Sequence, residues 1–507
     1  MASLANRGQE NRGDPCWEES PNPLCDPSKT LATAAQSPVP SGDPNHGLKK
    51  EMGLGDLVLA QILCVVGSSW VGVAAKLGKA HAVFWLIAIC LFYLPLAAVV
   101  IFLSRKIPLE GGLYQWAHQG FGEFLGFMTA WNLFVYALID VPSILFVLPT
   151  DLSYLIGPSA SWFPENRAVT GAIIFATAIV ISLVAVRGLS AAKWLHNSGS
   201  ILICAAYALL LSLPLVAFFA GHPRHYAPFP IQRPEVSWLN LAIFGQMTVG
   251  GLSGFEYVAI MAGECRSASR TIARSVWISA PIIALMFILG TSSVLAFVDG
   301  APINLIGPIP QTFSLAFAGS GWGTGLARFG IFLLLARAVA SASLIFTGLT
   351  RLPMTAGWDH LLPDWFTRLH PKWKTPVNSI LFMTAMVALL LLLSMLGVRA
   401  QETMQLLLNA TTVHYGLVYV ALFALPLFGT AGFRRGIPAW LRVVSVAGLI
   451  SSVVAILIAV YPIIGVSSRV SYASKIAGTV IVSNLLGVAI YRGREKRKLV
   501  TVANESV

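Results

Sequence analysis

The residues able to do chemistry in this chain are few, and they sit where charge is costly. Glu256 follows directly on Gly250-Gly251-Leu252-Ser253-Gly254-Phe255, inside an otherwise apolar run. Asp140 stands in YALIDVPSI and Arg337 in LLLARAVASAS, each alone in an apolar segment. A carboxylate or guanidinium at mid-bilayer costs several kcal/mol unless it faces a partner, a cavity or a pathway. Glu256 is therefore read as a group that takes up and releases a proton, with a purely structural acid as the alternative. Counted along their helices at 1.5 Å per residue, Asp140 and Arg337 fall at one depth, just past the midplane. Pairing into a bridge is the plain expectation. The sharper one makes Arg337 a fixed cation in a place where a sodium ion would otherwise sit.

Backbone is the second source of chemistry. Gly67-Ser68-Ser69 interrupts the first apolar run, and Gly250, Gly251 and Gly254 crowd the sixth. Glycine inside a helix costs about 1 kcal/mol relative to alanine, so both stretches read as helices broken at mid-membrane. A helix restarting after Gly67 offers free N–H groups and a positive dipole end, which suit a carboxylate. A helix ending before the break at Gly250, Gly251, Ser253 and Gly254 offers carbonyls, which suit an ammonium. Together they describe a site for a zwitterion. Trp70 and Phe255 are candidate aromatic walls or gates, with core packing as the alternative. Ser253 adds a hydroxyl. Paired interrupted helices in corresponding halves are the best sequence pointer to a transporter site.

Composition sets the class of element that holds these groups. Of 507 residues, 56% are hydrophobic and 11% charged, against about 25% charged in soluble domains. This is an all-α integral membrane protein. The net charge of +12 lies in short loops and tails, so it does not indicate nucleic acid. The six cysteines (Cys16, Cys25, Cys64, Cys90, Cys204, Cys265) show no CxxC or Cys/His spacing. No metal, cofactor, phosphate loop or catalytic triad is implied. An enzyme embedded in the membrane would need histidine and acid clustered at one face, and the histidines are dispersed.

Residues 1–50 are polar and rich in Pro, Ser and Gly, and are read as a disordered tail. It is not read as a signal peptide, for no apolar core follows a basic start. Apolar runs follow at about 54–78, 82–104, 121–149, 168–187, 196–221, 238–263, 272–298, 326–350, 377–397, 402–428, 438–463 and 472–491. These are twelve spans. Lys and Arg concentrate in the even-numbered loops and in the basic tail 492–507, which puts both termini in the cytoplasm. The two breaks are five spans apart. Residues 51–221 and 238–428 then form an inverted 5+5 pair, and 438–491 supplies two appended spans. Loops 105–120 and 351–376 read as amphipathic cytoplasmic segments, and 299–325 as a hairpin capping an external vestibule. Glu264 is expected to be a loop or gate partner for an arginine.

Three stretches carry a family resemblance. GLSGFEYVAIMAGECRSASRTIARSV resembles the sixth-helix signature of the amino acid–polyamine–organocation superfamily. PLEGGLYQWAHQGFGEFLGFMTAWN resembles its second-to-third-helix signature. LTRLPMTAGWDHLLPDWFTRLHPKWKTP resembles the loop after its eighth helix. The resemblance spans about residues 50–490. It implies a leucine-transporter-type fold, with substrate between the two breaks. By position, the amides of Ser68, Ser69 and Trp70, the carbonyls of Val249 to Leu252, and Glu256 would form the site.

The chain departs from the family pattern in places. Ser69 stands where the family usually has glycine. Gly250 stands where several relatives place a bulky aromatic, which implies a roomier pocket. The fifth span has no central lysine to replace sodium; Lys193 and His196 lie at its cytoplasmic end. Arg337 aligns beside the eighth-span part of that sodium position. The implied activity is secondary transport of amino acids across the cell membrane, coupled to protons or to exchange. Carriage of polyamines or organic amines, or nutrient sensing on a transporter fold, are the alternatives. The partners implied are a small-molecule substrate and the lipid bilayer, and a homo-oligomer is compatible with the chain.

Overall fold

The computed structural model describes residues 52–107, 112–219, 225–256, 268–298, 300–317, 321–355, 364–395 and 400–505. The expected tail 1–50, Glu264, Cys265 and parts of the 105–120, 299–325 and 351–376 loops lie outside them. Within these residues the chain is almost wholly helical. Two helices form the first span: α1 (Leu54–Val65) and α2 (Ser68–Ala75), meeting at a 45° bend. Then come α3 (Gly78–Lys106), α4 (Leu113–Phe121), α5 (Glu123–Ile156), α6 (Arg167–Arg187) and α7 (Leu189–Phe219). The second half holds α8 (Trp238–Gly245), α9 (Ala268–Val298), α10 (Pro308–Ala316) and α11 (Gly321–Thr355). It ends with α12 (Val377–Ser394), α13 (Ala400–Phe428), α14 (Ala439–Ile458) and α15 (Arg469–Glu505).

Among the described residues, ten helices are long and apolar enough to cross a membrane, and the bent α1–α2 pair makes eleven. The remaining expected span begins with α8, and its second half falls in 257–267, outside the described residues. Two boundaries differ from the sequence reading. α5 runs on to Ile156 rather than stopping near 149, because Leu148-Pro149 restarts a helical turn that ends only at Gly157. α15 continues through the basic segment to Glu505. The Arg, Lys and Glu residues there are good helix formers once a helix feeds into them.

The centre of the bundle is made by α5, α11, α13 and α7, with α1 and α2 lying between α7, α9 and α10. Polar side chains tie the helices at depth. Gln61 of α1 donates to Ser275 Oγ at 3.1 Å and accepts from Ser279 at 2.5 Å, both on α9. At the start of α1, Asp56 pairs with Lys193 at 2.8 Å and accepts from Asn197 at 2.7 Å, both on α7. α15 is fastened by Asn484, which exchanges two hydrogen bonds with Asn132 of α5 at 2.9 and 3.2 Å. His414 of α13 joins the same cluster through Asn132 and Ser483. Hydrogen bonds between membrane helices average about 0.6 kcal/mol each. Asn484→Leu is therefore expected to lower stability by about 1 kcal/mol, seen as a small drop in melting temperature in detergent, with solute uptake retained.

Candidate functional site

The first break is two residues long. α1 ends at Val65, Val66 and Gly67 are extended, and Ser68 opens α2 with Gly67 as its N-cap. Ser68 and Ser69 are thus the first residues of the second half rather than part of the gap. The open carbonyls at the end of α1 find a cation. The Arg337 guanidinium donates through Nη2 to Val66 O and, at 3.5 Å, to Leu63 O, while Ser341 Oγ donates to Leu63 O at 3.2 Å. The bridge expected between Asp140 and Arg337 does not form. Asp140 instead accepts from Tyr136 OH at 3.4 Å and from Ser143 Oγ at 3.1 Å. The reason is local: the negative end of a broken helix lies within reach of the guanidinium and needs it.

The second break falls slightly later than the glycine run. α8 passes into a π-helical turn, Gln246–Gly251, and the chain leaves helical geometry at Leu252. Gly254 has φ +122°, a conformation L side chains rarely adopt. A Cβ there would also lie 3.1 Å from Val65 Cγ2 and 3.2 Å from Cys64 Sγ, so the two breaks touch. Tyr419 of α13 pins this gap: its hydroxyl donates to Glu256 Oε1 at 2.6 Å and accepts from the Gly254 N–H at 3.1 Å. Glu256 Oε2 is buried without a hydrogen-bond partner among the described residues.

Between the breaks lies a cavity of about 60 Å³. Gly67, Ser68, Ser69, Trp70, Asp140, Gly250, Ser253 and Arg337 line it, as do Tyr136, Ser143, Ser341, Thr411, Thr412 and Tyr415. Val249, Gly251, Leu252, Phe255 and Glu256 are buried behind this wall. Phe255 stacks on Tyr93, ring centroids 4.7 Å apart, as a packing residue. The pocket is not roomier at Gly250. A Cβ on Gly250 would come within 2.8 Å of Trp70 Cζ3, and one on Gly67 within 2.8 Å of Trp70 Cδ1. The volume a sixth-span aromatic would fill is taken by an indole from the first span.

The structure also assembles residues that sequence reasoning passed over. Tyr136 stacks on Tyr415 at 3.8 Å, and Tyr415 on Tyr419 at 4.7 Å. This aromatic column runs from Asp140 to Glu256. Its signal in the sequence is the four-residue spacing, Tyr136 to Asp140 and Tyr415 to Tyr419, which places each pair on one helix face. Asp151 is a further buried acid, missed because the third span was ended before it. Beyond the cavity, near the end of α2, are two larger adjoining openings of about 600 and 450 Å³. They share Pro302, Ile303 and Gln401, and Lys76, Glu165 and Glu402 line their walls. The buried helix α10 packs on α2 and α5 beside them, with Pro308 against Gly72.

Two interrupted helices touching at a polar cavity inside an apolar bundle are the architecture of a secondary transporter. The chain belongs to the amino acid permease family, whose sequence profile matches residues 54–483, and that membership implies a leucine-transporter-like fold. It is a multi-pass membrane transporter and not an enzyme. It is similar to an uncharacterized transporter of Legionella pneumophila, 24% identical over 346 residues, 66% of this chain and 72% of that one. It is similar to the low-affinity putrescine importer PlaP of Escherichia coli, 24% identical over 294 residues, 57% and 62% of the two chains. It is also similar to the methylthioribose transporter of Bacillus subtilis, 22% identical over 378 residues, 71% and 77% of the two chains.

The contact between Trp70 and Gly250 is directly testable. Gly250→Ala alone is expected to displace the indole and reduce uptake by tenfold or more, ~1.4 kcal/mol. Adding Trp70→Leu should restore most of the loss. A double variant no better than Gly250→Ala would show that the two residues do not share this volume.

Proposed function

We propose that this protein is a secondary active transporter that moves amino acids or related amines across the cell membrane by alternating access. In this reading it has twelve spans in a 5+5 inverted repeat with two appended helices, and both termini are cytoplasmic. The observation that carries it is the meeting of the two breaks at one cavity. Free N–H groups at the start of α2, the Ser68 and Ser69 hydroxyls and the polar wall of α5, α11 and α13 suit a small zwitterionic or amine solute. The cavity is too small to hold such a solute as it stands, while the openings beyond it are wide. That contrast supports a site that closes and reopens during a cycle in which α1, α2 and the sixth span move against α5, α6, α11 and α12.

Arg337 supports independence from sodium. A permanent cation on the carbonyls of Leu63 and Val66 supplies the charge that a bound sodium ion would bring to the end of a broken helix. Coupling then rests on protons or on exchange. Glu256, at the second break and held by the Tyr419 hydroxyl, is the proposed proton-carrying group. The functional alternative, a nutrient sensor on this fold, would bind solute without moving it.

Uptake into proteoliposomes tests these points. Replacing sodium by choline is expected to leave uptake unchanged; a strict sodium requirement would overturn the role given to Arg337. Wild-type uptake should rise as the outside is acidified, and Glu256→Gln should flatten that response. An unaltered pH profile in the variant would remove Glu256 from coupling. Binding of a labelled solute with no uptake under any gradient would favour the sensor.

A further inference from the structure

The central cavity contains a carboxylate that the two-break description does not use. Asp140 lines it from α5 and has no ion-pair partner among the described residues. Its two donors are weak: Tyr136 OH stands at 3.4 Å, and the Ser143 hydroxyl divides itself between Asp140 Oδ1 at 3.1 Å and Asp140 O at 2.8 Å. The nearby guanidinium donates through Nη2 to α1 carbonyls and forms no bridge to this carboxylate. A carboxylate at this depth with so little compensation is costly unless a cation completes it.

Another part of the wall is positive. Arg337 and the N-terminal N–H groups of α2 lie on the α1–α2 side of the cavity, and both suit an anion. The carbonyl-bearing segment of the sixth span offers little to a cation here. Val249, Gly251 and Leu252 are behind the wall, and the Trp70 indole lies against the face of Gly250 that a Cβ would occupy. Among the described residues that line this cavity, a solute ammonium meets one carboxylate, and it is on α5. The stacked rings of Tyr136 and Tyr415 flank that acceptor, and aromatic faces add attraction for a cation.

We propose that Asp140 is the anchor for the solute's ammonium group and the residue that makes a positively charged amine obligatory for transport. The proposal rests on the carrier reading above and narrows it to solutes bearing a protonated amine. The positive side of the cavity favours those that also carry a carboxylate.

The test uses the full-length protein in proteoliposomes with L-leucine, L-ornithine and 1,4-diaminobutane as probes. For whichever of these the wild type takes up, Asp140→Asn is expected to weaken apparent affinity by roughly ten- to hundredfold, the scale of one charge-assisted hydrogen bond. Asp140→Glu should retain part of it. Uptake of amino acids with exclusion of the diamine supports a dipolar solute, and uptake of the diamine supports the anchor without the anionic half. A probe carried equally well by wild type and Asp140→Asn would overturn the proposal and leave the carrier reading intact. If the wild type carries none of the three, the amino acid and amine reading falls with it.

Should Asp140→Asn fail to fold, wild-type protein answers the same question by thermal shift. L-Leucine, or whichever amine is carried, should raise the melting temperature, and 4-methylpentanoate, leucine without its amine, should not. Equal stabilisation by the deaminated acid would overturn the anchor.

Discussion

The structure depends on what happens to backbone groups that a helix abandons inside lipid. No water is available there to take up an open N–H or carbonyl, and each unsatisfied group costs several kcal/mol. A break is tolerable only if side chains from neighbouring helices meet it. At the first break Arg337 and Ser341 of α11 cover the carbonyls that α1 leaves open. At the second, the Tyr419 hydroxyl binds the Gly254 amide and the Glu256 carboxylate together. The residues that open α2, Ser68, Ser69 and Trp70, line the cavity between the breaks. The same expense that makes an interrupted helix rare makes it a place where a solute can substitute for protein.

Covering the carbonyls of α1 with a guanidinium has consequences for the rest of the cavity. The cation is permanent, and in the proposed reading it takes the place of a metal ion at that end of α1. It makes no bridge to Asp140, which takes its hydrogen bonds from Tyr136 and Ser143. Charge is thereby separated across a small space, with the positive groups on the α1–α2 side and the carboxylate on α5. A dipolar solute would be oriented by that separation before any shape selection begins. The Trp70 ring rests on Gly67, Gly250 and Gly251 and limits the space beside them.

Much of the candidate site was legible in advance. Gly67, Ser68, Ser69, Trp70, Gly250, Ser253, Asp140 and Arg337 were picked from residue type alone, and all line one cavity. Their legibility has a physical basis: polar and glycine residues in apolar spans are penalised, so those that persist stand out. Tyr136, Tyr415 and Tyr419 did not stand out, since tyrosine is ordinary in a membrane helix. Asp151 was hidden by a span boundary that a proline made look like a helix end. Phe255 and Val249 were selected by adjacency to a glycine run, and adjacency along a chain does not say which face of a broken helix looks inward.

The amino-acid sequence by itself determined that this is a helical membrane protein, that its first and sixth spans are interrupted, and that a handful of charged and small residues sit at those interruptions. Hydropathy and the cost of glycine and charge in lipid are local properties, readable residue by residue. Only the tertiary structure decided which partner each of those residues takes. Arg337 could reach Asp140 or the end of α1, and the packing of α11 against α1 settled it. Gly250 could widen the pocket or receive a ring, and the approach of α2 to the sixth span settled that. Such choices turn on distances of a few ångströms between helices remote in the chain, which no local property encodes.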